Sequence, residues 1–144
     1  MTQPIVVAYD DSPPSRRALD HAIELARRSD AAIVVAHVLE WSPYSFLTAE
    51  ELAERHKRRS EELARARKAV VDPLVAELKG KGLKVETEIR YGKVAETLIT
   101  VAEERDAAQI VIGRTGHSTI ATRMFGSVAG SLAQLAPVPV TIVP

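Results

Sequence analysis

The chain of 144 residues contains no cysteine. That absence removes disulfides, thiolate metal sites and thiol catalysis together. There is no net charge either, because 19 basic side chains balance 19 acidic ones. With neither a basic excess nor a charged tail, nucleic acid and anionic membrane surfaces are not expected as partners. No apolar run approaches the ~18 residues that a bilayer crossing requires. The opening MTQPIVVAYD has no basic region followed by a long apolar core. No secretory leader is therefore expected, and the expected compartment is the cytoplasm. The P-loop pattern G-x-x-x-x-G-K-[ST] is missing, and with it the lysine and Mg-binding hydroxyl of that class. His21, His37, His56 and His117 show no metal-ligand spacing; the first three are expected on surfaces or helices. No motif marks a Ser/His/Asp arrangement, and no general base for water attack stands out.

What remains is an ordinary soluble composition, 46% hydrophobic and 26% charged. The length suits one domain with a sizeable core, taken as residues 1–144 without an internal boundary or repeat. Residues 5–9 form an apolar, β-branched run, read as a strand buried on both faces as in a parallel sheet. Asp10-Asp11-Ser12 ends it. Pro13 and Pro14 then open a helix, where a missing N–H costs little. Ala18, Leu19, Ala22, Ile23, Leu25 and Ala26 recur at helical spacing up to about Arg28. A second strand covers residues 32–39, and a loop over 40–47 carries the single Trp. Thr48 and Glu51 have capping-box spacing. They start a long charged helix over 49–79, which Asp72-Pro73 should kink or interrupt near its last two turns. Its alternating charges read as a solvated face.

Residues 83–91 alternate apolar and polar, as an edge strand with one exposed face does. A third amphipathic helix covers 94–105, with Val94, Leu98, Val101 and Ala102 on one side. Gln109-Ile110-Val111-Ile112 is a buried strand, residues 128–135 a helix, and the last strand starts at Val138 and ends at Val143. Strands alternating with helices predict a parallel sheet with helices on both faces. In such sheets ligands bind beyond the carboxyl ends of the strands, where strand order reverses.

The stretch from Ile110 onward carries the chemistry. Gly113 closes its strand, Gly116 follows, and Gly126-Ser127 precedes the last helix. Glycine lets backbone approach an anion closely and take positive φ. A helix N-terminus supplies unpaired N–H groups and partial positive charge. Gly113, Gly116, Gly126 and Ser127 would wrap phosphates, with Val128 adding an N–H. The same residues also suit a tight turn and a helix cap. Asp10 either accepts hydrogen bonds from ribose hydroxyls or caps the first helix, a task open equally to Asp11 or Ser12. Val38 is an apolar wall for an adenine ring or plain core. His117, Arg114 and Arg123 are phosphate contacts or solvent-exposed loop residues. Pro137 and Pro139 suit an edge for the last strand, and an apolar edge needs cover.

The spacing G-x2-G-x9-G-S resembles the nucleotide-binding signature of the universal stress protein family. I-V-V-A-Y-D-D-S, A-H-V, R-Y-G-K-V-A-E and the closing P-V-P-V-T-I-V-P agree, so the resemblance covers nearly the whole chain. It implies a doubly wound five-stranded parallel sheet in the order 3-2-1-4-5, of adenine nucleotide α-hydrolase-like type. It implies ATP, with Mg left open, lying across the ends of strands one and four. The implied contacts are Asp10, Val38, Gly113, Gly116, Gly126, Ser127 and Val128, with Ala8 and Ile112 as weaker carry-overs. It also implies a homodimer through the last strand. The chain departs from the family at Asp11, where glycine is usual; its carboxylate would repel phosphate or point into solvent. The expected function is an ATP-binding, stress-response regulatory module, not an enzyme. The alternatives are a slow ATPase using the same site and a dimeric scaffold that binds no nucleotide.

Overall fold

The computed structural model describes residues 2–40, 48–116 and 126–144. The loop over 41–47, His117 and Arg123 lie outside the described residues. Five parallel strands form one sheet in the order β3-β2-β1-β4-β5, as expected. They are β1 (Ile5–Ala8), β2 (Ile33–Leu39), β3 (Val85–Tyr91), β4 (Gln109–Gly113) and β5 (Val140–Val143). Between them run helices α1 (Pro13–Ser29), α2 (Ala49–Ala66), α3 (Asp72–Gly80), α4 (Val94–Glu104) and α5 (Ser127–Leu135).

Alternation along the strands builds two apolar layers. Ile5, Val7, Ile33, Val35 and Val111 pack on one side with Ala18, Leu19, Ala22 and Ile23 of α1 and with Leu74 and Leu78 of α3. Val6, Val34, Ala36, Ile110 and Ile112 pack on the other with Leu98, Val101 and Ala102 of α4 and Ala129 and Leu132 of α5. The central strands β1, β2 and β4 read as unbroken apolar runs because both of their faces are covered. The alternating strand is indeed an edge, β3, where Glu86, Glu88 and Arg90 meet Glu104 and Arg105 at the end of α4. Registration of Ile5 with both Ile33 and Gln109 sets β1 between β2 and β4, so the strand order reverses beside β1.

The expected long helix is broken earlier than Pro73. Residues Arg67–Val71 form a π-helical turn between α2 and α3. The Asp72 N–H reaches back to Arg67 O, five residues away, and not to the usual fourth. A proline ring collides with the carbonyl four residues before it, here that of Ala69. Widening the turn in advance accommodates the ring within a continuous coil. Thr48 caps α2 as expected, its hydroxyl accepting from Glu51 N–H at 3.1 Å. The helix before β5 begins one residue earlier than expected, at Ser127, and β5 starts only after Pro139. No helix among the described residues is long and apolar enough to cross a membrane.

Candidate functional site

The turn after β1 positions the first functional group. Tyr9 has left the strand, yet its N–H still donates to Ala36 O at 2.9 Å. Its carbonyl lies 2.7 Å from His37 Nδ1. A carbonyl only accepts, so Nδ1 carries the proton. His37 is thus neither a surface nor a helix residue, unlike the exposed His21 and His56; it is buried in β2 and fastens the end of β1. Asp10 follows, half-buried. Capping of α1 falls to Ser12, whose hydroxyl accepts from Ser15 N–H in a reciprocal capping box. Asp10 is therefore not the cap. Its Oδ1 accepts from the Ser12 N–H at 3.1 Å and from the Ser12 hydroxyl, so one serine both caps the helix and orients the carboxylate.

Asp11, the residue in place of the family's glycine, adopts φ 64, the left-handed conformation that glycine takes most easily. Its carboxylate accepts from the Tyr9 hydroxyl at 3.1 Å. Burial, then the bond to Asp11 and its charge, push the Tyr9 hydroxyl above its ordinary range, so it stays protonated and donates.

The three glycines have separate physical reasons, and none uses positive φ; Gly82 and Gly92 are the glycines that do among the described residues. A Cβ on Gly113 would stand 2.9 Å from Pro14 O and 3.0 Å from Pro14 C. Gly113 therefore lets the end of β4 touch the first turn of α1. A Cβ on Gly116 would stand 3.2 Å from Asp10 Oδ2. One on Gly126 would stand 3.2 Å from Arg114 O, which already accepts the Gly126 N–H at 2.9 Å. That bond draws the two arms of the glycine segment together at the start of α5. Gly126, not Ser127, is the N-cap, and among the described residues no side chain caps the helix. The first-turn N–H groups of Ser127, Val128 and Ala129 thus receive no bond from an N-cap side chain, at a helix end carrying roughly half a positive charge.

These pieces enclose one cavity of about 460 Å³ beyond the carboxyl ends of β1, β2 and β4. Ala8, Asp10, Val38, Ile112, Gly113, Gly116, Gly126, Ser127 and Val128 all line it. Ala8, Val38, Ile112 and Val128 also pack against the second apolar layer, so the cavity continues that layer where strands and helices run out. Val94 and Leu98 of α4 form a wall that sequence reasoning assigned to the core, and Ser15 and Glu40 also line it unanticipated. Only the apolar stripe of α4 could have signalled Val94 and Leu98. The ionisable side chains among the described lining residues are Asp10, Tyr9, Glu40 and Arg114. The lining thus combines apolar side chains with backbone donors, two carboxylates and one guanidinium, groups suited to an apolar ring, a polyol and an anion.

A model of the family described as universal stress protein matches residues 1–144. The chain belongs to the universal stress protein family. A universal stress protein of Methanocaldococcus jannaschii is 31% identical over 96% of this chain and 80% of its own length. Universal stress protein YxiE of Bacillus subtilis is 29% identical, covering 99% of both. The fold matches that of UspA from Lactobacillus plantarum with TM-score 0.81 at 23% identity, over 99% of this chain and 97% of that one. Two solved universal stress proteins carry nucleotides. One, in complex with cAMP, is 29% identical with TM-score 0.65 over 99% of this chain and 97% of its own. The other, from Archaeoglobus fulgidus in complex with dAMP, is 28% identical with TM-score 0.60 over 99% of this chain and 98% of its own. Among the described residues of this universal stress protein, no group of three or more His, Asp or Glu could hold a metal ion.

Proposed function

We propose that this universal stress protein is an ATP-binding regulatory module of the stress response, for which nucleotide binding, not turnover, is the biochemical event. The observation that carries this reading is the cavity at the β1/β4 switch point, which gathers all nine implied contacts beside a helix N-terminus whose N-cap is a glycine. In this reading the adenine ring lies against Val38 and Ile112, between apolar walls. Asp10, aimed by Ser12, accepts from ribose hydroxyls. The phosphates lie over Gly116 and Gly126 and take the N–H groups of Ser127 and Val128. Magnesium would arrive on the phosphates, and Asp10 is a carboxylate of the lining that could hold it; it commonly keeps several waters and takes only one or two protein carboxylates. The second copy of a homodimer would cover β5, whose four residues are all partly exposed, together with Leu135, 66% exposed at the end of α5. Helix α5 would then join the phosphate cradle to the dimer edge as one rigid element.

A second reading concerns the ligand. The solved relatives at 29% and 28% identity hold cAMP and dAMP, each with a single phosphate. The described lining carries two carboxylates against one guanidinium, which suits a less charged ligand. Titration calorimetry with ATP, AMP and cAMP on the full chain separates these readings, and micromolar binding of ATP is expected. Absence of heat with all three, and no nucleotide released on denaturing the purified protein, would remove the proposal in favour of a scaffold. A steady-state phosphate-release assay, with Asp10→Ala as control, tests turnover. Light scattering tests the dimer, and a monomer at micromolar concentration would count against it.

A further inference from the structure

We propose that Tyr9 is a positioning residue for the nucleotide site: its hydroxyl pins Asp11 in the left-handed conformation, and this turn aims the Asp10 carboxylate into the cavity. The inference rests on the nucleotide-binding reading for its consequence, but its geometry is independent of any ligand.

The turn between β1 and α1 must reverse direction within four residues, 9 to 12. Asp11 achieves this at φ 64, where a side chain is strained and glycine is not. Aspartate tolerates this region better than most residues, as Asp30 and Asp106 also show at φ 53 and 50, and at Asp11 a local hydrogen bond fixes it there. Tyr9 is only 7% exposed, its ring set in the α1 layer and its backbone tied on both sides to β2, through Ala36 O and His37 Nδ1. Its hydroxyl is thereby a fixed point, and it donates to Asp11 Oδ1 at 3.1 Å. Ser12, next along, donates its N–H to Asp10 Oδ1 at 3.1 Å. Rotation of Asp11 out of the left-handed region would turn the Ser12 N–H away from Asp10. The carboxylate that lies beside Gly116 would lose its bearing. An aspartate with a tyrosine two residues before it thus performs here what glycine would do by its own conformational freedom.

The test is a double-mutant cycle on the full chain with Tyr9→Phe, Asp11→Gly and the pair. Two readouts are taken: ATP affinity by calorimetry, and hydrogen exchange of the Ser12 amide by NMR without nucleotide. Tyr9→Phe removes one oxygen from a buried ring and should fold. It is expected to weaken ATP binding about fivefold and to speed Ser12 exchange by a similar factor, the size of one net hydrogen bond. Asp11→Gly is expected to bind at least as tightly as the parent. In that background Tyr9→Phe should change neither readout, because glycine needs no pin. An equal effect of Tyr9→Phe in both backgrounds, or none in either, overturns the proposal. If the parent binds no ATP, AMP or cAMP, the nucleotide reading fails while the exchange cycle still decides whether the pin exists.

Discussion

Asp10 and Gly116 meet where the ends of β1 and β4 converge: a Cβ on Gly116 would stand 3.2 Å from Asp10 Oδ2. The contact is with the tip of a side chain, so the protein can yield by swinging the carboxylate a few tenths of an ångström. The swing moves the group that faces the cavity and strains its bond to Ser12. Gly116→Ala should therefore leave the melting temperature nearly unchanged while weakening ATP binding about fivefold, or about 1 kcal/mol. Paired calorimetric titration and thermal melts check this. A large loss of stability with unchanged affinity would show that Gly116 serves the turn alone.

Gly113 predicts the opposite pattern. Its missing Cβ faces Pro14 O at 2.9 Å and Pro14 C at 3.0 Å, which are backbone atoms of a capped helix turn. Nothing flexible can move aside. Gly113→Ala should destabilise the fold by about 1–3 kcal/mol, as overpacking does, and lower the melting temperature by several degrees. Any loss of nucleotide affinity would follow from displacing α1. Gly113→Val is accordingly a poor probe of phosphate contact, although the glycine spacing alone makes it look like the first choice.

The contrast between these two glycines shows where sequence reasoning stops. The periodic features were legible: the alternation in residues 83–91 identifies the β3 edge, and the unbroken apolar runs identify β1, β2 and β4 as central. Nine of the lining residues were also legible, but through the spacing shared with the family more than through their chemistry. Long-range contact was invisible. Nothing local says that Gly113 faces Pro14, that His37 ties down Tyr9, or that Asp11 rather than Asp10 takes the left-handed turn. The π turn was hidden for a related reason. Proline acts backward on the carbonyl of Ala69, and whether a helix answers by kinking or by widening depends on what packs beside it. Val71 and Leu74 are buried on either side of the junction, and Leu74 packs in the layer of α1.

The β3 edge carries a pH signature. Burial works against the Glu88 carboxylate, but hydrogen bonds from Arg90 and Arg105, with their charges, outweigh it and hold the group below the ordinary glutamate value of 4.5. Its side chain is 17% exposed, with Arg90 Nε at 3.0 Å and an Arg105 nitrogen at 2.8 Å. A carboxyl depressed in the folded state stabilises the protein above its unfolded pKa. That stability is lost as pH falls through the lower folded value. Glu88→Gln should thus cost about 1 kcal/mol at neutral pH. The gap from the parent should close progressively below pH 4.5. Urea unfolding of both proteins across pH 3 to 7, at roughly physiological salt, tests the sign. A gap that widens on acidification would contradict it.

Ser12 performs two tasks, and they can be separated. As N-cap of α1 it accepts from Ser15 N–H; as a donor it holds Asp10 Oδ1 through its hydroxyl. Alanine removes both and should cost about 1 kcal/mol as a lost cap. Glycine is a nearly adequate N-cap, costing only a few tenths of that scale, yet it removes the hydroxyl just as completely. Ser12→Gly should therefore melt close to the parent and bind ATP more weakly. Ser12→Ala should show the same loss of affinity with a lower melting temperature. The backbone N–H of residue 12 survives in both variants and still reaches Asp10, so the loss is partial, about threefold to fivefold for one remaining bond of two. If affinity instead tracks melting temperature across the two variants, the hydroxyl matters to the helix and not to the aim of Asp10.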